Sequence, residues 1–563
     1  MRRLLLILLG PVVLLAAEPK IDRDLLDVSV ERLHALYRAH RYTVTQVVQW
    51  HLDRIARYDG VYQAVQTVTK KAALEEAARQ DAQAKQRGFR PGPLWGVPIV
   101  IKANASIAGL VTTDGWAGYM LPGKELVAPR DATIVTKFRD AGAILLGITN
   151  MPDFAASDTT RSTAFGRTGN AYDVRFSPGG SSGGTVTAVT SNFAVLGDGT
   201  DTGNSIRMPV ATSNLVGIFP TRGLVSIAGI APLDWQLDNV GPIARTVADA
   251  ALALTVLAGE DPLDAATIGS QEKAQARPYT RYLQSGALKG KRFGVPAFIL
   301  DGKTAPFQGV CPSATQEQFE KAIQDAGNPL KPETRVAFLA AVEELRGAGA
   351  TVLIDPQVMP DSFAIEAAHV CTLPYMREGT EKFLATFGPA QYHSPAEYER
   401  AVGKPLPSVI IGGAKTGMLD AASIQQATLE TDPQAEATLL GPRRKVLALY
   451  EAELERLHLD GFVYPATQMP PVDETMPQGG NLSGGPHSDT NWANMIGVPA
   501  ITLPAGFYKD GLPFAIELST RKWHDGDLIG WAYDYERHYD HRRRPVLVER
   551  GLLPTATRPL DAQ

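Results

Sequence analysis

Apolar positions along this chain alternate between two periods. Through residues 29–57 the spacing is helical and predicts two helices. The second opens on Thr43-Val44-Thr45-Gln46, a capping box, and places Val44, Val47, Val48 and Ile55 on one face. Residues 72–87 are alanine-rich and stop at Gly88, the mark of a third helix. The run from Val97 to Ile101 is apolar throughout and rich in Ile and Val, which predicts a buried strand ending on Lys102. Residues 131–141 then read as a helix and 143–148 as a strand. Residues 184–192 read as a small-residue helix, followed by the short apolar run 193–196. This alternation predicts an α/β fold whose sheet is covered on both faces. Farther on, 291–298 reads as a strand, 333–347 as a helix and 351–354 as a strand, among the Pro/Gly-rich stretches 304–313 and 387–411.

The first residues follow neither period. Met1-Arg2-Arg3 precede an apolar stretch, 4–17, too short to cross a bilayer comfortably. Basic residues before such a core read as a secretory signal. The expectation is a signal over 1–17, a mature chain starting near Glu18, and a secreted or periplasmic protein with no stable membrane association after cleavage. An uncleaved anchor is the alternative. Composition adds that 44% hydrophobic and 20% charged residues suit a globular protein. A net charge of -5 offers no footing for nucleic acid. A chain of 563 residues would ordinarily divide into several domains. Motifs from both ends of the chain would have to build one site, so 18–563 is read as a single domain. The two cysteines, Cys311 and Cys371, are too few for a Cys-rich metal site but can pair in an oxidising compartment.

Candidate chemistry concentrates between Ser177 and Ser226. Two glycine-rich turns each carry a serine: Gly179-Gly180-Ser181-Ser182-Gly183-Gly184 and Gly199-Thr200-Asp201-Thr202-Gly203-Asn204-Ser205. One reading is a pair of structural turns. A phosphate cradle is a second, but the spacing fits no dinucleotide fingerprint and GxxxxGK[ST] is absent. The third is a nucleophile loop, in which backbone N–H groups of Thr202 to Ser205 bind an oxyanion while Ser205 attacks. Arg207 stands where a GxSxG elbow needs glycine, so an ordinary Ser-His-Asp hydrolase is not indicated. Lys102, desolvated at its strand end, is a base in that reading and a snorkelling lysine otherwise.

Taken together, Gly96-Val97-Pro98-Ile99-Val100-Ile101-Lys102-Ala103-Asn104, the Ser177–Gly184 motif, GTDTGNSIRMP and GIFPTRGLVS resemble the amidase signature family of serine hydrolases. The resemblance covers most of 25–260 and returns at 460–467 and 494–518. It implies one large, twisted, mixed sheet between helical layers, and a Ser–cis-Ser–Lys triad. Ser205 matches the nucleophile, Ser181 the bridging serine and Lys102 the base, with an oxyanion hole from the amides of Thr202, Gly203, Asn204 and Ser205. It implies hydrolysis of a small-molecule amide, or of an ester or urethane on the same site, and no cofactor or metal. Within the family the alternative is an amidotransferase subunit that takes ammonia from glutamine. A non-catalytic binding protein on the same scaffold is a further alternative.

The chain departs from the family pattern in three places. Ala103 stands where Lys-Asp-Asn is usual, Asn204 where Gly-Gly-Ser is frequent, and Ile148 in the Gly147-Ile148-Thr149-Asn150 segment where lysine is usual. With Ala103, no acidic neighbour is expected to hold Lys102 charged. Residues 262–445 match least and are read as a variable substrate wall. Ser182, Tyr375, Phe383 and His487 are candidate substrate contacts. Asp201 and Arg207 are expected to pair, and 238–245 to pack the core. A Ser205–His487–Asp489 triad is the rival to the lysine mechanism. His524 with Asp525 and Asp527 reads as a solvated loop rather than a metal site. Oligomeric state, monomer or homodimer, is left open.

Overall fold

The computed structural model describes residues 20–412, 425–475 and 485–545, with short stretches of backbone at 415–416 and 419–420. The signal-like segment 1–17 lies outside the described residues. At the centre is an 11-stranded mixed sheet. Its strands are β1 (Val65–Val68), β2 (Pro98–Lys102), β3 (Ile144–Thr149), β4 (Leu196–Asp201), β5 (Val216–Phe219), β6 (Asn239–Ala244), β7 (Arg292–Gly294), β8 (Thr351–Leu353), β9 (Gly461–Pro465), β10 (Ala500–Phe507) and β11 (Pro513–Ser519). They lie side by side as β1-β3-β2-β4-β6-β5-β10-β11-β9-β7-β8. β2 runs parallel to both β3 and β4, whereas β4, β6, β5, β10, β11 and β9 pair antiparallel in succession.

Alternate residues of the central strands enter opposite layers, as the period of two requires. Val216 and Ile218 of β5, Val463 of β9, and Ile501 and Leu503 of β10 join one buried cluster. Phe219, Phe462, Tyr464 and Ala500 join another. The first cluster is closed by helices that include α1 (Val30–Arg38), α2 (Val44–Tyr62), α3 (Val247–Leu257) and α4 (Pro332–Gly347). The second is closed by α5 (Gly441–Arg456) and α6 (Trp492–Ile496). The sheet is thus covered on both faces, as expected. Thr43 and Gln46 form the capping box that opens α2.

Two boundaries differ from the sequence reading. The strand expected over 291–298 stops at Gly294, and Ala297–Leu300 is helical. Pro296 has no N–H to extend the ladder, so the strand ends before it. The alanine-rich helix spans Lys70–Gln83, and the chain unwinds through a turn before Gly88, whose φ is +81°. Cys311 and Cys371 form a disulfide, with Cα atoms 4.9 Å apart. Among the described residues no helix is long and apolar enough to cross a membrane.

Candidate active site

Three neighbouring segments build the site. β2 delivers Lys102 at its end, wholly buried. The Lys102 amide donates to Asp198 Oδ1 across to β4 (2.8 Å). The Lys102 amine, Nζ, lies 2.7 Å from Ser181 Oγ, 2.7 Å from Thr200 Oγ1 and 3.0 Å from Ser182 Oγ. Asn104 Nδ2 donates to the same Thr200 hydroxyl (2.9 Å). Ser181 follows a cis peptide bond from Gly180. The Ser182 amide donates to the Ser205 carbonyl (3.2 Å), which sets the two serine turns against each other. Ser182 is thus a partner of the lysine, a role its sequence position does not reveal.

Burial pushes the Lys102 amine down from its ordinary value to about 7. Carboxylates oppose this: Asp198 first, then Asp114, Asp201 and Asp238. The expectation that Ala103 leaves the lysine without acidic neighbours is therefore corrected. The carboxylates arrive from β4 and from loops. Asp198 is itself pushed up to about 7 by burial. Asp114 is buried, its amide donates to the Ala103 carbonyl (3.0 Å), and burial raises its carboxyl well above the usual range. Desolvation of the amine still outweighs the surrounding negative charge, and the neutral amine is accessible near neutrality.

The loop from Asp201 to Ser205 is held from outside. Thr202 Oγ1 donates to Asp238 Oδ1 (2.6 Å). Arg207, fully buried, reaches Asp201 with Nε (3.0 Å) and Nη2 (3.1 Å), Glu517 with Nη1 (3.0 Å), and the Thr490 carbonyl (3.0 Å). Its Nη2 also donates to the Gly203 carbonyl (2.7 Å). In a trans peptide C=O and N–H point opposite ways. Arg207 therefore turns the Asn204 amide away from itself, and the Asn204 carbonyl, accepting from Met208 N–H (2.8 Å), does the same for the Ser205 amide. Among the described residues, no acceptor engages the N–H groups of Gly203, Asn204 or Ser205. Ser205 is only 6% exposed. A Cβ at Gly203 would lie 3.3 Å from the ring of Phe307, a half-exposed aromatic that stands over the loop.

A buried amine bonded to a serine in a glycine turn, beside a second serine loop with unengaged amides, is an arrangement suited to acyl transfer. The amidase family model matches residues 46–324. A glutamyl-tRNA(Gln) amidotransferase subunit from Symbiobacterium thermophilum is 30% identical over 533 residues, covering 93% of this chain and 99% of the relative. The chain belongs to the amidase signature family. The corresponding protein of Alkaliphilus metalliredigens is 32% identical, covering 89% of this chain and 94% of its own. Among solved structures, the peptide amidase of Stenotrophomonas maltophilia superposes with a TM-score of 0.71 at 30% identity, covering 92% of this chain and 98% of that one. Amidase signature enzymes act on C–N amide bonds, and the sheet described above is theirs.

Among the described residues the rival triad lacks its middle contact. His487 Nδ1 lies 3.4 Å from Asp158 Oδ2, while Asp489 accepts from Asn328 (3.0 Å) and Gln468 (2.6 Å). Tyr375 is buried with its hydroxyl donating to Asp432 (2.7 Å), packed in the wall rather than presented to a ligand. Phe383 lines a cleft of about 470 Å³ on that wall, together with Trp235, Leu263 and Phe387. Asp201 pairs with Arg207 as expected, and strand β6 is buried throughout. His524 pairs with Asp527 (2.8 Å) and Asp525 turns inward to Thr221, so these three do not converge. Thr200, Asp198, Asp114 and Asp158 are site residues that sequence reasoning missed. Thr200 and Asp198 sit in Gly197-Asp198-Gly199-Thr200-Asp201, where alternation along a strand could have placed them beside Lys102.

Proposed function

We propose that this protein is a serine amidase that hydrolyses a carboxylic amide through an acyl-enzyme on Ser205. The observation that carries this reading is the 2.7 Å contact between the Lys102 amine and Ser181 Oγ, in a buried site that pushes the amine down to about 7 and so makes its neutral form accessible. Ser205 Oγ attacks the amide carbon and passes its proton to Ser181, whose own proton moves to Lys102. The unengaged amides of the 202–205 loop take the oxyanion. On collapse the C–N bond breaks, Ser181 protonates the leaving amine, and Lys102 returns the proton to Ser181. Water then attacks the ester by the same relay, releasing the acid and restoring Ser205. No step calls for a cofactor or metal.

Ser205→Ala should lower turnover on the order of a million-fold with the fold intact, and a fluorophosphonate should label Ser205. Near-normal turnover in Ser205→Ala together with a dead His487→Ala would replace this mechanism with the histidine one. Likeness to a peptide amidase puts peptide amides first among trial substrates, followed by aryl, fatty and oligomeric amides, with esters and urethanes of the same acids.

The amidotransferase relatives favour a second reading, in which ammonia from glutamine is handed to a partner. The signal-like segment 1–17 favours export instead, to the periplasm or beyond, away from charged tRNA. Purified chain that turns over simple amides alone, and a mature N-terminus near Glu18 in an extracytoplasmic fraction, are the expected results. A cytosolic chain beginning at Met1 that needs partner proteins for turnover would establish the amidotransferase reading.

A further inference from the structure

Asn204 is the one residue from Asp201 to Val210 that is not buried. It immediately precedes Ser205, and its own N–H is among the unengaged amides. A side chain at this point could wander and drag the loop with it. Instead it is tied down: Asn204 Nδ2 donates to Asp158 Oδ1 (3.2 Å). A carboxylate only accepts, so the amide NH2 must face it, which fixes the orientation of the Asn204 side chain.

Asp158 is itself immobilised. Its main chain presses on the turn that carries Ser181: a Cβ at Gly180 would meet Ser157 O at 2.5 Å, Asp158 C at 2.8 Å and Thr159 N at 2.8 Å. Its second oxygen, Oδ2, faces His487 Nδ1 at 3.4 Å. Asp158 and His487 are 27% and 32% exposed, so the pair forms the rim of the site rather than its core. Neither residue takes part in the Ser181–Lys102 proton relay, and no packing need explains a carboxylate aimed at the nucleophile loop.

We propose that Asp158 is a positioning residue that sets the oxyanion-binding amides by clamping Asn204, with His487 steadying the carboxylate from the far side. The clamp joins the Ser205 loop to the backbone packed against the Ser181 turn. The two serine turns thus share a connection at the rim besides the bonds from Ser182 to the Ser205 and Thr200 carbonyls. This inference rests on the proposed role of Ser205. A displacement of about 1 Å in a reacting group can cost on the order of 100-fold in rate. Loss of the clamp should therefore appear in kcat rather than KM.

The test is a double-mutant cycle on one amide, using Asp158→Ala, Asn204→Ala and the pair, with melting curves as the check on folding. Each single variant should lose about 10- to 100-fold in kcat at nearly unchanged KM, and the double variant should be no worse than the poorer single. Asp158→Asn can still accept from Asn204 and should recover most of the rate, whereas a general packing role would not distinguish acceptor from non-acceptor so sharply. Losses that multiply in the double variant, a loss confined to KM, or equal rates for Asp158→Asn and Asp158→Ala would overturn the proposal. Ser205→Ala in parallel separates the two ideas. If it stays active, the nucleophile assignment fails. If it is dead while Asp158→Ala is fully active, only the clamp fails.

Discussion

Arg207→Met would remove the cation at the centre of the catalytic loop. In the native chain the guanidinium is buried between Asp201 and Glu517, stacked 4.7 Å from the Phe219 ring, and bonded to the Gly203 and Thr490 carbonyls. Its charge holds the Asp201 carboxyl below its usual range against the effect of burial. Glu517 remains raised by burial even with the arginine present. Methionine matches much of the volume but leaves both carboxyls without a cation, and one protonation or more must then accompany folding. Removing one partner of a buried pair costs about 3–5 kcal/mol, because the remaining charge is stranded. The assay is urea unfolding followed by tryptophan fluorescence, beside turnover on one amide. Stability should fall by about that amount, and kcat should fall further because the Gly203 carbonyl loses its anchor. The variant Arg207→Met, Asp201→Asn, Glu517→Gln strands no charge and should regain much of the stability while staying slow. A single variant that lost under about 1 kcal/mol and kept its rate would refute the argument, since the network would then be neither a structural hub nor a support for the loop.

The pH dependence is the next check. A base lowered from its ordinary value to about 7 is charged below that pH, so kcat/KM should rise through an acid limb near pH 7, and Lys102→Ala should lose both the rate and the limb. A charged Asp114 favours the charged lysine and burial raises its own carboxyl, so Asp114→Asn should leave the limb in place or move it to lower pH; a shift to higher pH would contradict the sign of that interaction. Cleaving the Cys311–Cys371 bridge, which spans 60 residues, should cost about 4 kcal/mol on loop entropy and lower the urea midpoint. An unchanged midpoint after reduction would show that the wall is held without it.

The parts of the site legible in the sequence were those encoded over short distances. Lys102 declared itself by ending an apolar run, Ser181 and Ser205 by their glycine turns, and Asp201–Arg207 by lying in one segment. The alternation of elements predicted the two-layered cover of the sheet, and the Pro296 stop was missed only at the level of a boundary. The remainder depends on chain reversals that no local period records. Glu517 is 310 positions from Arg207, and Asn328 and Gln468 come from separate segments to occupy Asp489. Asp158 looks like an ordinary loop acid until its main chain is seen against Gly180. Ala103 misled because a missing neighbour in sequence is not a missing neighbour in space: Asp114 and Asp198 bring negative charge to the same amine.

The strand order has a consequence for biosynthesis. β10 and β11, among the last strands made, lie between β5 and β9 in the middle of the sheet, not at its edge. Arg207 leaves the ribosome 310 residues before Glu517. At about 5–20 residues per second that interval is roughly 15–60 s, during which a cation destined for full burial has only its local aspartate. The nascent chain must therefore carry its nucleophile loop unfinished until the final strands close the gap. On this topology the ion network around Arg207 is complete only once β11 has been made.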